Sequence, residues 1–188
     1  MINQRSEDLI KSFEKLMLKA YHGAADRQGV FTIGWGHVLT GYEKPDLFQP
    51  GQMMQDVKIT KERADSLFTD DIEKFIRGVT MRIDPIQKAK LTEDQFGALV
   101  SFSYNVGLAN FFVSNVRQSV NHGIFDEVPE MLGHFISAAG VQVNGLIRRR
   151  AAEAALFKSD YTMLDLFKAS AAAPVMIKAR AYLNRKEV

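Results

Sequence analysis

The stretch from Thr60 to Thr80 carries Ala64, Leu67, Phe68, Ile72, Phe75, Ile76 and Val79 at the three-and-four spacing of a single helix face. This periodicity predicts a long helix, and the rest of the fold has to be arranged around it. The Asp84-Pro85 pair ends that helix or begins a turn. Thr92 and Gln95 then form a capping-box pattern before Phe96, Leu99, Val100 and Phe102, which predicts a buried helix over 92–106. Further helical stretches are predicted over 114–121, 125–138 and 146–157. A short one follows near 162–169, and another opens at Pro174, a residue suited to the first helical position.

The N-terminal third reads differently. Leu9, Ile10, Phe13 and Leu16 or Met17 make the apolar face of a first helix from about Ser6 to Leu16, with Glu14 near its end. Two short segments follow, 18–21 and 30–33, separated by Gly23, Asp26 and Gly29, which predicts a β-hairpin with a long tip. Residues 41–57 read as loop, with one more short strand near 57–59. The predicted fold class is α+β and mainly helical: a small N-terminal β-hairpin lobe, a long connecting helix and a larger helical lobe.

Composition removes several alternatives. The 188 residues suffice for one full-sized domain or two small lobes around a shared core, and 46% hydrophobic with 24% charged residues is an ordinary globular balance. There is no cysteine, so disulfides and Cys-ligated metals are excluded. No apolar run is long enough for a signal peptide or a membrane span. A net charge of +2 suits contact with an anionic polymer but falls far short of a nucleic-acid binder, and no nucleic-acid motif is present.

Three blocks carry the chemistry. Phe13-Glu14 and Tyr21 precede Asp26-Arg27-Gln28-Gly29-Val30-Phe31-Thr32-Ile33-Gly34-Trp35-Gly36-His37. Leu91 through Gly107 includes Gln95 and Asn105. Gly145-Leu146 is followed by Arg149-Arg150 and Glu153, then Leu156-Phe157. In this order, over roughly residues 6–158, the chain resembles the phage-type lysozymes of glycoside hydrolase family 24. The resemblance implies a lysozyme-like catalytic domain over 1–158, with 159–188 as a C-terminal helical extension packed on it or a cationic tail.

It further implies a cofactor-free, metal-free, monomeric muramidase. Such an enzyme hydrolyses the β-1,4 bond between N-acetylmuramic acid and N-acetylglucosamine in bacterial peptidoglycan. Glu14 would be the general acid and Asp26 the base that activates water, with Thr32 holding that water by its hydroxyl. The family inverts the anomeric carbon, a geometry that leaves room for water between the two carboxyls. A buried helix end would keep the Glu14 carboxyl protonated, as a general acid requires.

Gln95, Asn105 and Arg149 are candidate substrate contacts, with Arg149 near Glu14. His37 has no second His or Cys beside it, which argues against a metal. By the resemblance it pairs with Asp71 and ties hairpin to helix. His22, His122 and His134 read as surface residues. Gly34 and Gly36 let the backbone pass close to the helix, and Trp35, read as inside a strand, either stacks on a sugar or packs.

The sequence departs from the family pattern in three places. Lys15 stands where a glycine usually follows the catalytic Glu, three extra residues separate Tyr21 from Asp26, and Ile136 replaces a common Trp. A catalytically impaired peptidoglycan-binding or scaffold protein with the same fold is the alternative reading, and the altered hairpin tip is its support. Beyond the resemblance, Pro174–Val188 carries Lys178, Arg180, Arg185 and Lys186 among Met176, Ala179, Tyr182 and Leu183. That pattern is either a helix packed on the body or a surface for anionic membranes or lipopolysaccharide. Without an export signal, the protein would act from the host bacterial cytoplasm and reach the wall through a holin-like route.

Overall fold

In the computed structural model the first helix, α1, spans Gln4–Phe13, starting and ending before the predicted bounds. Asn3 sets its start: the Asn3 Oδ1 accepts the Ser6 N–H at 3.0 Å and the Ser6 hydroxyl at 2.7 Å. Ser6 is therefore inside the helix and fully buried. Its hydroxyl lies so close to Gly97 that a Cβ there would fall 1.8 Å from Ser6 Oγ, so only glycine admits the helix at this approach. The helix ends at Phe13 because Met17 is already a strand residue paired with Gly34. Leu16 and Met17 thus do not extend the helix face. The structure describes residues 1–22, 30–39, 47 and 51–184.

Two strands follow, β1 (Met17–Tyr21) and β2 (Phe31–Gly34), paired antiparallel with an irregularity in register between Met17 and Tyr21. The third strand, β3 (His37–Leu39), continues the sheet in the order β1-β2-β3. The predicted strand near 57–59 reduces to a single bridge. Ala20 donates its N–H to the Val57 carbonyl, and Ile59 donates to that of Leu18, each at 2.9 Å. It stops there because the Thr60 hydroxyl accepts the Arg63 N–H and opens α2 (Lys61–Thr80). Ala20, Ile33, Leu39, Leu47, Val57 and Leu67 form the core under this sheet.

Asp84 caps the short α3 (Pro85–Lys88), accepting from the N–H groups of Ile86 and Gln87. The capping box of Thr92 and Gln95 opens α4 (Glu93–Val106), where Leu99, Val100 and Phe102 are fully buried. α5 (Leu108–Val113) was not predicted; it begins at Gly107, without a side-chain cap to mark it. α6 (Asn115–Asn121) is capped by Ser114.

The predicted helix over 125–138 is broken. A 3-10 turn covers Phe125–Glu127, α7 covers Val128–Gly133, and a hairpin of β4 (Ser137–Ala138) and β5 (Val141–Gln142) follows. Ala139 and Gly140 both take positive φ (48° and 79°), the two-residue primed turn that matches strand twist and that no helix contains.

α8 (Asn144–Phe157) has Ile147, Ala151, Ala152, Ala154, Ala155 and Leu156 fully buried among α4, α7 and the two C-terminal helices. These are α9 (Tyr161–Ala169), capped by Asp160, and α10 (Ala173–Leu183). The apolar residues Val175, Met176, Ala179 and Leu183 of α10 are buried, leaving Ile177 and Lys178 outside. Arg180 donates to Gln142 Oε1 at 2.7 Å.

The chain divides into two units. One holds residues 1–13 and 75–188, and is helical apart from the β4–β5 hairpin. The other holds residues 14–74, with the three-stranded sheet and the first part of α2. This division runs through α2.

Within the helical unit, buried Asp94 joins three elements. It accepts from Asn3 Nδ2 at 2.7 Å, the Tyr161 hydroxyl at 2.7 Å and Arg5 at 3.2 Å, and the Arg5 guanidinium lies 4.0 Å from the centre of the Tyr161 ring. Burial alone would raise its carboxyl; the hydrogen bonds from Asn3 and Tyr161 and the Arg5 charge outweigh it and hold the group below its ordinary 3.8. With the native value below the unfolded one, the unfolded chain binds the extra proton as pH falls. The stabilisation by Asp94 is thus complete above 3.8 and lost as pH drops through the native value. Urea midpoints of the unmodified chain and Asp94→Asn should therefore differ at neutral pH and converge in acid. A gap that persists unchanged at the lowest pH would show that ionisation is not its source.

Candidate active site

Glu14 directly follows α1, half-buried, at the point where the backbone leaves the helix for β1. Thr32 sits in the central strand β2, paired in register with Tyr21 on one side and Val38 on the other, and is buried. Strand alternation places it on the opposite face from Ile33, whose side chain fills the core below. The register irregularity of β1 lies between Met17 and Tyr21, alongside this part of β2. Such bulges re-aim side chains and recur beside active sites. Glu14 and Thr32 belong to the same unit. Asp26 lies outside the described residues.

The structure brings His37 and Asp71 together: the imidazole Nδ1 donates to Asp71 Oδ2 at 2.8 Å, fastening β3 to α2. Trp35 is not inside a strand. It occupies the turn between β2 and β3, where its indole N–H donates to Asp65 Oδ1 at 2.9 Å. Gly34 takes φ +64°, the left-handed region that favours glycine, while a Cβ on it would stand at ordinary contact distance, 3.4 Å, from that of Ala64. His22, His122 and His134 are exposed, and the His22 ring meets the Val30 carbonyl at 2.8 Å.

The other candidates lie in the helical unit. Gln95 is taken up locally: its Oε1 accepts the Thr92 N–H at 3.0 Å and completes the cap of α4. Asn105 is ten residues further along that helix, about 15 Å away at the α-helical rise. The structure does not bring the two together.

Asn105 instead joins Arg149 in a charged cluster. Its Oδ1 accepts from Arg150 at 2.8 Å, and the Arg150 guanidinium lies 2.9 Å from Glu153 Oε2. Glu153 Oε1 also accepts from Arg149 Nε at 3.3 Å and from the Ser101 hydroxyl at 2.8 Å. Arg150 and Glu153 are fully buried, and Arg149 is nearly so. Burial pulls Arg150 down to about 10 despite the facing carboxylate, which leaves it charged at neutral pH. Arg148 and Arg149 lie over the Phe13 ring at 4.9 and 5.8 Å from its centre, one residue before Glu14 in the chain.

The roles of Ser101, Arg150 and Glu153 were not predicted. The i,i+3 and i,i+4 spacing of the arginines to Glu153 was the available signal. Among the described residues no group of three or more His, Asp or Glu side chains is placed to hold a metal ion.

A mainly helical α+β chain with small antiparallel sheets, these elements build a lysozyme-type fold. The muramidase domain of SpmX from Asticaccaulis excentricus superposes with a TM-score of 0.68 at 31% identity, over 84% of this chain and 97% of that one. The endolysin of Escherichia coli O157:H7 phage FAHEc1 gives 0.65 at 30% identity, over 85% and 94%. The phage lysozyme family model matches residues 11–153.

By sequence, the endolysin of Bacillus phage B103 is 37% identical over 156 residues, 83% of this chain and 53% of that protein. The chain thus spans about half the length of the Bacillus phage relatives it matches. The endolysin of Acyrthosiphon pisum secondary endosymbiont phage 1 is 32% identical over 84% of this chain and 98% of its own length. The chain belongs to the phage lysozyme family.

Proposed function

We propose that the chain is an endolysin, a muramidase that hydrolyses the β-1,4 bond between N-acetylmuramic acid and N-acetylglucosamine of bacterial peptidoglycan. The observation that carries this reading is the family match over residues 11–153, which contains Glu14, Asp26 and Thr32. Glu14 protonates the leaving glycosidic oxygen. Asp26 takes a proton from a water molecule that the Thr32 hydroxyl orients, and that water attacks the anomeric carbon from the opposite face, with inversion. The reaction needs no metal or cofactor.

His37 and Asp71 hold β3 against α2 and so steady the strand neighbouring Thr32. Arg149, buried against Glu153 and Ser101, serves as a structural cation and receives no sugar contact in this reading, while the exposed Asn105, held by Arg150, is kept as a polar glycan contact. Gln95, committed to the α4 cap, receives no sugar contact in this reading. The chain acts as a monomer on peptidoglycan and binds no nucleic acid. It passes from the host cytoplasm to the wall by a holin-like route, and host lysis follows. No helix among the described residues is long and apolar enough to cross a membrane. Contact of α10 with membranes or lipopolysaccharide gains little support, since its apolar face is buried.

The test is digestion of purified, lipid-free peptidoglycan in the presence of EDTA, with turbidity, reducing ends and the anomer of the fresh product followed together. Clearing with new reducing ends of inverted configuration is the expected result. Binding without release of reducing ends would favour a catalytically impaired scaffold, to which the lengthened hairpin gives support. A retained configuration would remove the assigned roles of Asp26 and Thr32.

A further inference from the structure

The apolar face of α10 is buried, but a different surface of the helical unit leaves large apolar side chains outside. On α5, Phe112 is 50% exposed and Val113 is 67% exposed, and beyond the end of α2 Met81 is 82% exposed. Large apolar side chains left outside at this density mark an interaction surface when something else in the neighbourhood repeats the signal.

Here the repeat is electrostatic. The Arg117 guanidinium lies 4.9 Å and that of Arg82 5.6 Å from the centre of the Phe112 ring. Both arginines are held by backbone carbonyls. Arg82 donates to the Gly78 carbonyl at 3.0 Å, and Arg117 donates to the Arg82 carbonyl at 3.5 Å. Neither has a carboxylate partner among the described residues. The acid nearest in sequence, Asp84, spends its carboxylate on the N–H groups of Ile86 and Gln87. Two cations with no carboxylate partner among the described residues thus flank an exposed aromatic ring and its apolar neighbours.

An occupant must supply both an anion for the guanidiniums and an apolar phase for Phe112, Val113 and Met81. A sugar polymer matches this poorly, because the ring is engaged by two guanidiniums and is not an open platform for a pyranose. A bilayer with anionic head groups supplies both. Phosphates meet Arg82 and Arg117 at the head-group level, while the aromatic and aliphatic side chains enter the acyl boundary. We infer that Phe112, Val113, Arg82 and Arg117, with Met81, form a docking surface for an anionic phospholipid bilayer. This surface is independent of the catalytic reading, since every residue in it lies outside the residues given a role there.

Co-sedimentation with phosphatidylglycerol–phosphatidylethanolamine vesicles, against phosphatidylcholine vesicles, tests it at low ionic strength. The chain should partition to the anionic vesicles and stay in solution with the neutral ones. Phe112→Ser with Val113→Ser, and separately Arg82→Gln with Arg117→Gln, should each lower partitioning at least about tenfold. Ile177→Ser with Lys178→Gln on α10 should leave it unchanged. Because Phe112 and Val113 are exposed, that pair decides the matter if the arginine variant unfolds on a urea control.

No partitioning to anionic vesicles overturns the inference, as does equal binding to phosphatidylcholine or loss through the α10 variant alone. So does loss of retention on lipid-free peptidoglycan by the same patch variants while vesicle binding is intact, since the surface would then belong to the wall.

Discussion

The Glu14→Gln variant should bind purified peptidoglycan as the unmodified chain does, yet release new reducing ends about a thousandfold more slowly. The carboxamide keeps the size and most of the hydrogen-bonding capacity of the carboxyl but has no labile proton to give the leaving oxygen. A general acid in the transition state contributes about two to four orders of magnitude, and the sugar leaving group is a poor one without it. A urea melt of the variant serves as the control that it is folded under the assay conditions. Retention of more than about a tenth of the rate would remove Glu14 from the acid role. Equal loss of binding and rate would make it a binding residue only.

The second large effect concerns stability. Glu153→Gln should cost about 3–5 kcal/mol in urea or thermal unfolding, a large part of what a domain of this size has. The carboxylate is fully buried and faces two guanidiniums, Arg150 at 2.9 Å and Arg149 at 3.3 Å. Neutralising it leaves two like charges in a space from which water is excluded, and the Ser101 hydroxyl and Asn105 carboxamide cannot replace the lost charge. Removing one cation as well, in Glu153→Gln with Arg150→Met, should recover part of the loss, because an apolar side chain tolerates that burial. A single-variant cost below about 1 kcal/mol, or no recovery in the double variant, would show that the cluster reaches water after all.

Where the fold was legible in the sequence, the signal was local. The Thr92 and Gln95 pair announced α4 within one residue of its start, and Pro174 announced α10, because caps act over three or four neighbours. Misreadings arose where a distant partner overruled the local pattern. Leu16 and Met17 continue the apolar face of α1 on paper, but pairing with Gly34 draws Met17 into a sheet. The stretch 125–138 keeps enough apolar residues for one helix, yet a 3-10 turn precedes α7, which starts at Val128 with Pro129 in its first turn, and the β4–β5 hairpin takes over from Ser137. His37–Leu39 is too short for alternation to show, and Leu108–Val113 has no capping side chain.

The candidate site was legible for a different reason. Glu14, Asp26 and Thr32 are individually unremarkable residue types; their order and spacing within a family pattern singled them out, and composition could not. Glu153 stood in that same pattern without a role, because spacing along one helix does not reveal that Ser101, 52 residues earlier, completes its shell.

By itself, then, the sequence determined the strongly periodic helices such as α2, α4 and α8, the starts of α4 at Thr92 and of α10 at Pro174, and to which family the order of motifs belongs. These properties depend on neighbours within a turn or two, or on residue order. Tertiary structure decided which apolar faces are covered. It buried Val175, Met176, Ala179 and Leu183 of α10 while leaving Phe112 and Val113 of α5 outside. It also tied Asp94 to Asn3, Arg5 and Tyr161, and closed the arginines around Glu153. Such outcomes depend on contacts between residues far apart in the chain, where burial and desolvation set the energy and local propensity has no bearing.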